Sequence, residues 1–328
     1  MSDPQQTYWL GIDLGGTKIL AEVFDSEWKC VGSEKAKTKA EEGQEATLAR
    51  LLKAGQTALA AAGIPPGKLG GVGIGVPGVL DPRSGLLIQA PNLGWKNLNL
   101  ADILQKAYGA PAHVANDVDA GTYGEAVLGA GKGARCVLGV FPGTGIGGGL
   151  VVDNEIFRGS NRSCMEIGHI QALPNGPRCG CGRQGCLEAI AGRLAISAAA
   201  SAAVLRGQAP WLLANAGSDP AKIRSGMLAK AIENGDTAVR DIVEQACDAL
   251  GGVLGDMVNL LAPDVIVIGG GLAEALPELY GKRVEKAMRP RVMKALEDVC
   301  KIRIAKLGDQ ATSLGSAAWA RHQTEKKT

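Results

Sequence analysis

Residues 8–24 read YWLGIDLGGTKILAEVF, and residues 136–152 read CVLGVFPGTGIGGGLVV. Each is an apolar run of strand type that ends in a glycine-rich turn and is followed by a second apolar run. The same strand–turn–strand unit occurring twice, each time with helical segments downstream, predicts an internally duplicated α/β protein with a cleft between its halves. The first turn holds Asp13 and Thr17, and the second holds Thr144. A glycine-lined hairpin tip presents backbone N–H groups as an anion nest. One such hairpin is equally well a plain tight turn, but two at matching places in two repeats point to a clamp on a polyphosphate. Gly73-x-Gly75-x-x-Gly78 and Gly143-x-Gly145-x-x-Gly148 also match the dinucleotide spacing G-x-G-x-x-G. That motif has to connect a strand to a helix. Here Gly148 leads into another strand and Gly78 into a polar loop, which argues against an oxidoreductase, and no P-loop sequence occurs.

Outward from these units, residues 44–62 carry apolar positions at helical spacing without proline and predict an amphipathic helix. A glycine-rich strand is expected over 69–76, a polar loop over 90–95, and a short helix over 100–108. A strand over 112–115 runs into Asn116-Asp117, a helix-capping pair ahead of a helix over 120–128. In the second half, strands are expected over 136–141 and 150–152, and helices over 187–205, 221–234 and 236–261. Val265-Ile-Val-Ile268 is the most strand-like run, ending at Gly269-Gly270-Gly271. A helix over 277–295, a strand over 301–305 and a closing helix over 314–322 capped by Thr312 and Ser313 follow, then a charged tail, Thr324–Thr328.

Between residues 166 and 188 the chain reads EIGHIQALPNGPRCGCGRQGCLE. One of only three histidines, His169, stands upstream of Cys179, Cys181 and Cys186, which alternate with turn-forming glycines. One imidazole and three thiolates make a complete tetrahedral shell of the structural zinc type. The plainer alternatives are small buried thiols or a disulfide; a reducing compartment and this spacing favour metal. Two carboxylates that such a zinc does not need, Glu166 and Glu188, bracket the segment.

A length of 328 residues suits two domains, and a net charge of +2 gives no case for nucleic acid or an anionic membrane as partner. The first ten residues carry no basic segment followed by an apolar run, and the expected location is the cytoplasm.

The motifs taken together resemble the ROK family (repressors, open reading frames and sugar kinases). Asp13-Leu-Gly15-Gly16-Thr17-Lys18 is similar to the family's first phosphate motif and Gly143-Thr144-Gly145-Ile-Gly-Gly-Gly149 to its second. E-x-G-H-x9-C-x-C-G-x-x-G-C-x-E (166–188) resembles the family signature, and Ile268-Gly269-Gly270-Gly271 its adenosine motif. The resemblance runs from about residue 8 to 320. It implies a duplicated actin-like ATPase fold of the ribonuclease H-like class, with a smaller domain of residues 1–119 plus 311–328 and a larger one of 120–310 carrying the zinc loop. It also implies phosphorylation of a hexose by ATP with Mg2+, glucose being the expected substrate, and a homodimer. Fructose, mannose or an N-acetylhexosamine are alternative substrates, and a non-catalytic sugar-sensing regulator is an alternative role. No winged-helix segment precedes Tyr8, so the expectation is a kinase. By the same resemblance Asp117 is the catalytic base, and Gly78, Asn92, Asn116, Asp117, Glu166, His169 and Glu188 contact the sugar. His169 would then serve both zinc and sugar. Zinc with four protein ligands has no open position to activate water, so its expected role is to shape the sugar loop. The plainer role for Asn116-Asp117 is a helix cap, which is compatible, since a helix N-terminus favours a charged carboxylate. Two positions depart from the family pattern: Phe141-Pro142 before the second phosphate motif, and Asp119 after Asn116-Asp117.

Overall fold

The computed structural model describes residues 7–65, 67–81, 84–160 and 164–326. The elements run β1 (Tyr8–Leu14), β2 (Lys18–Phe24), β3 (Cys30–Lys37), α1 (Gln44–Ala62), β4 (Leu69–Val76), β5 (Val79–Leu80), β6 (Leu87–Ala90), β7 (Trp95–Leu98), α2 (Leu100–Tyr108), β8 (Ala112–Asn116) and α3 (Asp117–Val127). Then come β9 (Cys136–Pro142), β10 (Ile146–Val152), β11 (Glu155–Ile156), α4 (Glu188–Ala191), α5 (Arg193–Leu205), α6 (Pro210–Ala216), α7 (Ser225–Glu233) and α8 (Thr237–Leu261). The chain closes with β12 (Val265–Ile268), α9 (Gly270–Ala275), α10 (Pro277–Met288), β13 (Lys301–Ile304) and α11 (Ala311–Glu325). Among the described residues, no helix is long and apolar enough to cross a membrane.

Two five-stranded sheets carry the duplication, in the orders β3-β2-β1-β4-β8 and β11-β10-β9-β12-β13; β5, β6 and β7 form a separate small sheet. In the first sheet β1–β2–β3 is an antiparallel meander, and β1, β4 and β8 are parallel. In the second, β9, β12 and β13 are parallel. Alternation along β1 explains the layers. Leu10, Ile12 and Leu14 share a buried core with Leu51 and Ala54 of α1. The opposite face receives α11 at very short range. Glu22, Gly11, Gly73 and His113 stand side by side across four strands. A Cβ on Gly11 would lie 1.9 Å from the Ser313 carbonyl oxygen, and one on Gly73 1.8 Å from that of Ser316. Gly73 of the first G-x-G-x-x-G pattern, like Gly11, therefore admits the backbone of α11 onto the sheet, Gly75 lies against Thr312 of that helix, and Gly78 lies against Gln89 and Ala90 of β6.

The chain divides into two compact units: Met1–Lys132 with Gly149–Cys164 and Asp309–Thr328, and Gly133–Gly148 with Met165–Gly308. The boundary expected between residues 119 and 120 falls inside α3, an unbroken helix that packs on α11 within the first unit. Thr312 and Ser313, expected as a cap, lie inside α11, whose N-cap is Gln310. The helix expected over 277–295 ends at Met288, two residues before Pro290, as proline's missing N–H and ring clash require. The polar loop expected over 90–95 is a turn of 3-10 helix, Pro91–Leu93, between β6 and β7. Of the charged tail, residues 327–328 lie outside the described residues.

Candidate active site and metal centre

The residues singled out from sequence fall into two sets, one in each unit. In the first unit, the carboxyl ends of parallel strands β1, β4 and β8 come together. Asp13 pairs in register with Gly75, and Gly75 with Ala115. A Cβ on Gly75 would lie 3.2 Å from the Asp117 Cα, so a glycine alone separates the backbone of Asp13's strand from the start of α3. Asn116 caps that helix: its Oδ1 accepts from the N–H groups of Val118 (2.9 Å) and Asp119 (3.3 Å), and its Nδ2 donates to the Gly78 carbonyl (3.3 Å). The cap fixes Asp117 as the first helical residue, and Asp117 Oδ1 accepts from the Val118 N–H at 3.0 Å.

The β1–β2 turn is held from below. The Thr38 hydroxyl donates to the Gly15 carbonyl (2.6 Å), and the Thr38 N–H to the Thr17 carbonyl (3.0 Å). The Gly15 N–H closes the turn on the Lys18 carbonyl (2.9 Å). With the carbonyls occupied, the Gly16 and Thr17 N–H groups have no protein acceptor among the described residues. Lys18 Nζ lies 3.3 Å from Asp309 Oδ2. Asn92 stands beside this turn, its Cβ 3.8 Å from where a side chain on Gly16 would begin.

Burial first, and then the neighbouring charge of Asp117, push the Asp13 carboxyl up to about 7, against the pull of Lys18. Two carboxylates at the carboxyl edge of one sheet, Asp13 on β1 and Asp117 after β8, are the donor chemistry that suits a hydrated divalent cation. The sign of the pH effect follows. Asp13's folded-state value lies above the unfolded one, so its contribution to stability is complete below about pH 4 and lost as pH rises through about 7. Asp13→Asn is therefore expected to stabilise the ligand-free protein at pH 8, by on the order of 4 kcal/mol, and to leave it nearly unchanged at pH 4. Thermal melts at the two pH values check this; equal melting shifts at both would contradict it.

Sequence patterning missed Glu22. It is 4% exposed, yet no basic side chain pairs with it among the described residues. It accepts from the Ser313 hydroxyl (2.5 Å) and Gln310 Nε2 (2.7 Å) at the start of α11, where helix N–H groups favour a negative charge. Glu22 thereby ties α11, and Asp309 just before it, to the hairpin. The one acid in the apolar run Lys18-Ile-Leu-Ala-Glu-Val-Phe24 was the available signal. Asp119, one of the two departures from the family pattern, is buried in the first turn of α3, and its charge acts on Arg158, which stacks on Trp319.

In the second unit, His169, Cys179, Cys181 and Cys186 offer ligand atoms that all lie within 4.8 Å of one another. Zinc bonds of about 2.3 Å to sulfur and about 2.0 Å to nitrogen set tetrahedral edges of about 3.8 Å between sulfurs and about 3.6 Å from sulfur to nitrogen. The structure has Cys181 Sγ 3.7 Å from Cys186 Sγ and Cys179 Sγ 3.6 Å from His169 Nδ1. The four side chains fit a zinc ion, and Nδ1 is the histidine atom turned toward the thiols. Gly185 makes the knuckle possible: its φ is 72°, and a Cβ there would lie 1.7 Å from the Leu173 carbonyl oxygen.

Glu188 links this loop to the second glycine turn. Its Oε2 accepts from the Ile146 N–H (3.1 Å), and its Oε1 lies 3.7 Å from Cys179 Sγ. Gly145 leaves the room, since a Cβ there would sit 2.1 Å from that carboxylate. Within the turn, the Gly143 N–H donates to the Gly145 carbonyl (2.8 Å), as Gly15 does in the first hairpin. A cavity of about 440 Å³ opens beside Thr144, Gly145, Arg178 and Leu194. Glu166 is exposed, one residue after Met165, which has a left-handed backbone (φ 62°), and its carbonyl accepts from the His169 N–H (2.9 Å). At the carboxyl end of β12, Gly269 precedes α9 and Gly270 has φ 78°. The Phe141 ring covers Gly269, 2.7 Å from where its Cβ would be, so position 269 has no room for a side chain.

The sequence model of the ROK family matches residues 9–323. A glucokinase of Halalkalibacterium halodurans is 30% identical over 319 residues, covering 97% of this chain and 96% of its own. A xylose repressor of Caldicellulosiruptor bescii is 28% identical, covering 94% of this chain and 77% of its own. The crystal structure of a ROK family glucokinase from Streptomyces griseus in complex with glucose and AMPPNP superposes with a TM-score of 0.82 at 30% identity, over 97% of this chain and 99% of that one.

Proposed function

The chain belongs to the ROK family, with its two-domain, actin-like α/β fold, and on that premise we propose that it is an ATP-dependent hexose kinase that phosphorylates glucose at the 6-hydroxyl. The observation that carries this reading is Asp117, fixed at the start of α3 by the Asn116 cap and separated from Asp13 by Gly75 alone. Phosphoryl transfer asks for positioning and charge stabilisation rather than covalent help from the protein. Asp117 accepts the proton of the attacking hydroxyl as the bond to phosphorus forms. Gly15, Gly16, Thr17 and Lys18 on one hairpin and Gly143, Thr144 and Gly145 on the other bind the phosphates of ATP, and Gly269 and Gly270 its adenosine. Asp13 would hold Mg2+, which when bound would supply neutralisation of charge on the phosphates. Gly78, Asn92, Asn116, Glu166, His169 and Glu188 bind the hexose. His169, Cys179, Cys181 and Cys186 would hold a structural zinc, and Cys179 lies against the Glu188 carboxylate.

The second reading, a regulator that binds sugar without phosphorylating it, is favoured by the repressor among the relatives. The experiment that separates the two is ADP release from Mg-ATP, with and without glucose, mannose, fructose or N-acetylglucosamine. A kinase gives hexose-dependent release, highest with glucose. Sugar binding with no release on any hexose would favour the regulator.

A further inference from the structure

The second hairpin carries a cation that no motif of the sequence assigns. Arg193 is the first residue of α5, directly after the Gly192 N-cap. Its backbone N–H donates to the Gly143 carbonyl (2.9 Å), and the next N–H, of Leu194, points to the Thr144 carbonyl (3.4 Å). The N-terminus of α5 thus occupies the carbonyl side of the turn. Gly143's own N–H is spent on Gly145, and Ile146's on Glu188. The N–H groups of Thr144 and Gly145 remain, with no protein acceptor among the described residues.

The Arg193 side chain folds back over the same turn. Its Nη2 donates to the Thr144 hydroxyl at 2.9 Å. With one lone pair taken, that hydroxyl is left with a proton to donate outward. A guanidinium has five N–H donors, and here one of them is used. No carboxylate lies within ion-pairing distance of Arg193 among the described residues; Glu188, at the start of α4, reaches the same turn but is engaged by the Ile146 N–H. A half-buried arginine, a hydroxyl and two backbone N–H groups therefore converge on one turn with their donors unspent. An acceptor-rich anion satisfies all four at once, and the planar fork of arginine suits two phosphate oxygens.

We propose that Arg193 is a phosphate-binding residue of the second hairpin, contacting the terminal phosphates of the nucleotide alongside Thr144. This deepens the kinase reading and rests on it. The contact adds charge to a nest that is otherwise built of neutral donors. A purely structural arginine would serve only to steady Thr144.

The test is titration calorimetry of AMPPNP and AMP, both with Mg2+, on the wild type, Arg193→Met and Arg193→Lys. Loss of one charge-assisted contact costs about tenfold or more in affinity. Arg193→Met is expected to weaken AMPPNP by that factor and AMP by less than about twofold, with an unchanged melting temperature. Arg193→Lys, which keeps a point charge and is a milder change should the Met variant fold poorly, is expected to fall in between. Equal loss for AMP and AMPPNP, or no loss for either, would overturn the proposal while leaving the kinase reading intact. A wild type that binds no AMPPNP would overturn both.

Discussion

Asp117→Asn is expected to lower turnover about 10²–10⁴-fold, the range a lost general base costs. The substitution keeps the shape of the side chain and leaves an oxygen for the Val118 N–H. It removes the charge and the proton acceptor. The cap on α3 belongs to Asn116 and is untouched, so the helix start should survive, with a loss of only about 0.3–1 kcal/mol from the missing N-terminal charge. Glucose affinity should weaken modestly. Zinc content should stay, because Asp117 is not among the four clustered ligands. Turnover, glucose affinity and zinc content measured on one preparation check all three. A variant retaining most of its turnover would place the base elsewhere, and Glu166 would be the next residue to replace.

Cys181→Ser is expected to strip zinc from the protein and to take glucose affinity with it. Cys181 is the exposed ligand of the four, so the change creates no core cavity. Its effect on metal affinity should exceed the roughly 10–100-fold cost of losing an outer-shell partner. Glue between metal and turn is provided by Glu188, which touches both Cys179 and the Ile146 N–H. Once the knuckle loosens, that carboxylate loses one of its two anchors. Metal analysis and a glucose titration read the two effects separately. Full zinc retention would contradict the metal assignment, whereas zinc loss with unchanged glucose affinity would contradict only the coupling to the sugar loop.

Elements whose own residues decide them were legible in the sequence. The helices over Gln44–Ala62 and Leu100–Tyr108 and the strand Leu69–Val76 match the expected ranges, since periodicity and terminal glycines bound them. So was the cluster of His169, Cys179, Cys181 and Cys186, because four side chains within a short segment need little from the rest of the fold to come together. Features set by partners far along the chain were not legible. Ser313 reads as a cap, since serine favours that position, but it is a buried helical residue held by Glu22 of β2. Strand β3 reads as polar because one of its faces is open to water, and β5 to β7 are too short to show a period. The start of β10 was hidden by glycine; Gly148 and Gly149 belong to the strand because Ile167 lies against one and Thr122 against the other. Arg193 gave no signal, since one arginine after a glycine is ordinary; its meaning comes from the turn beneath it, far back along the chain.

The measurement that tests the account most directly is phosphorus NMR of the purified protein with Mg-ATP and glucose. A hexose kinase gives a sugar 6-phosphate resonance that grows in step with ADP, and neither product above background when glucose is left out. ADP formed at the same rate with and without sugar, or no ADP at all from a protein that still binds glucose, would contradict it.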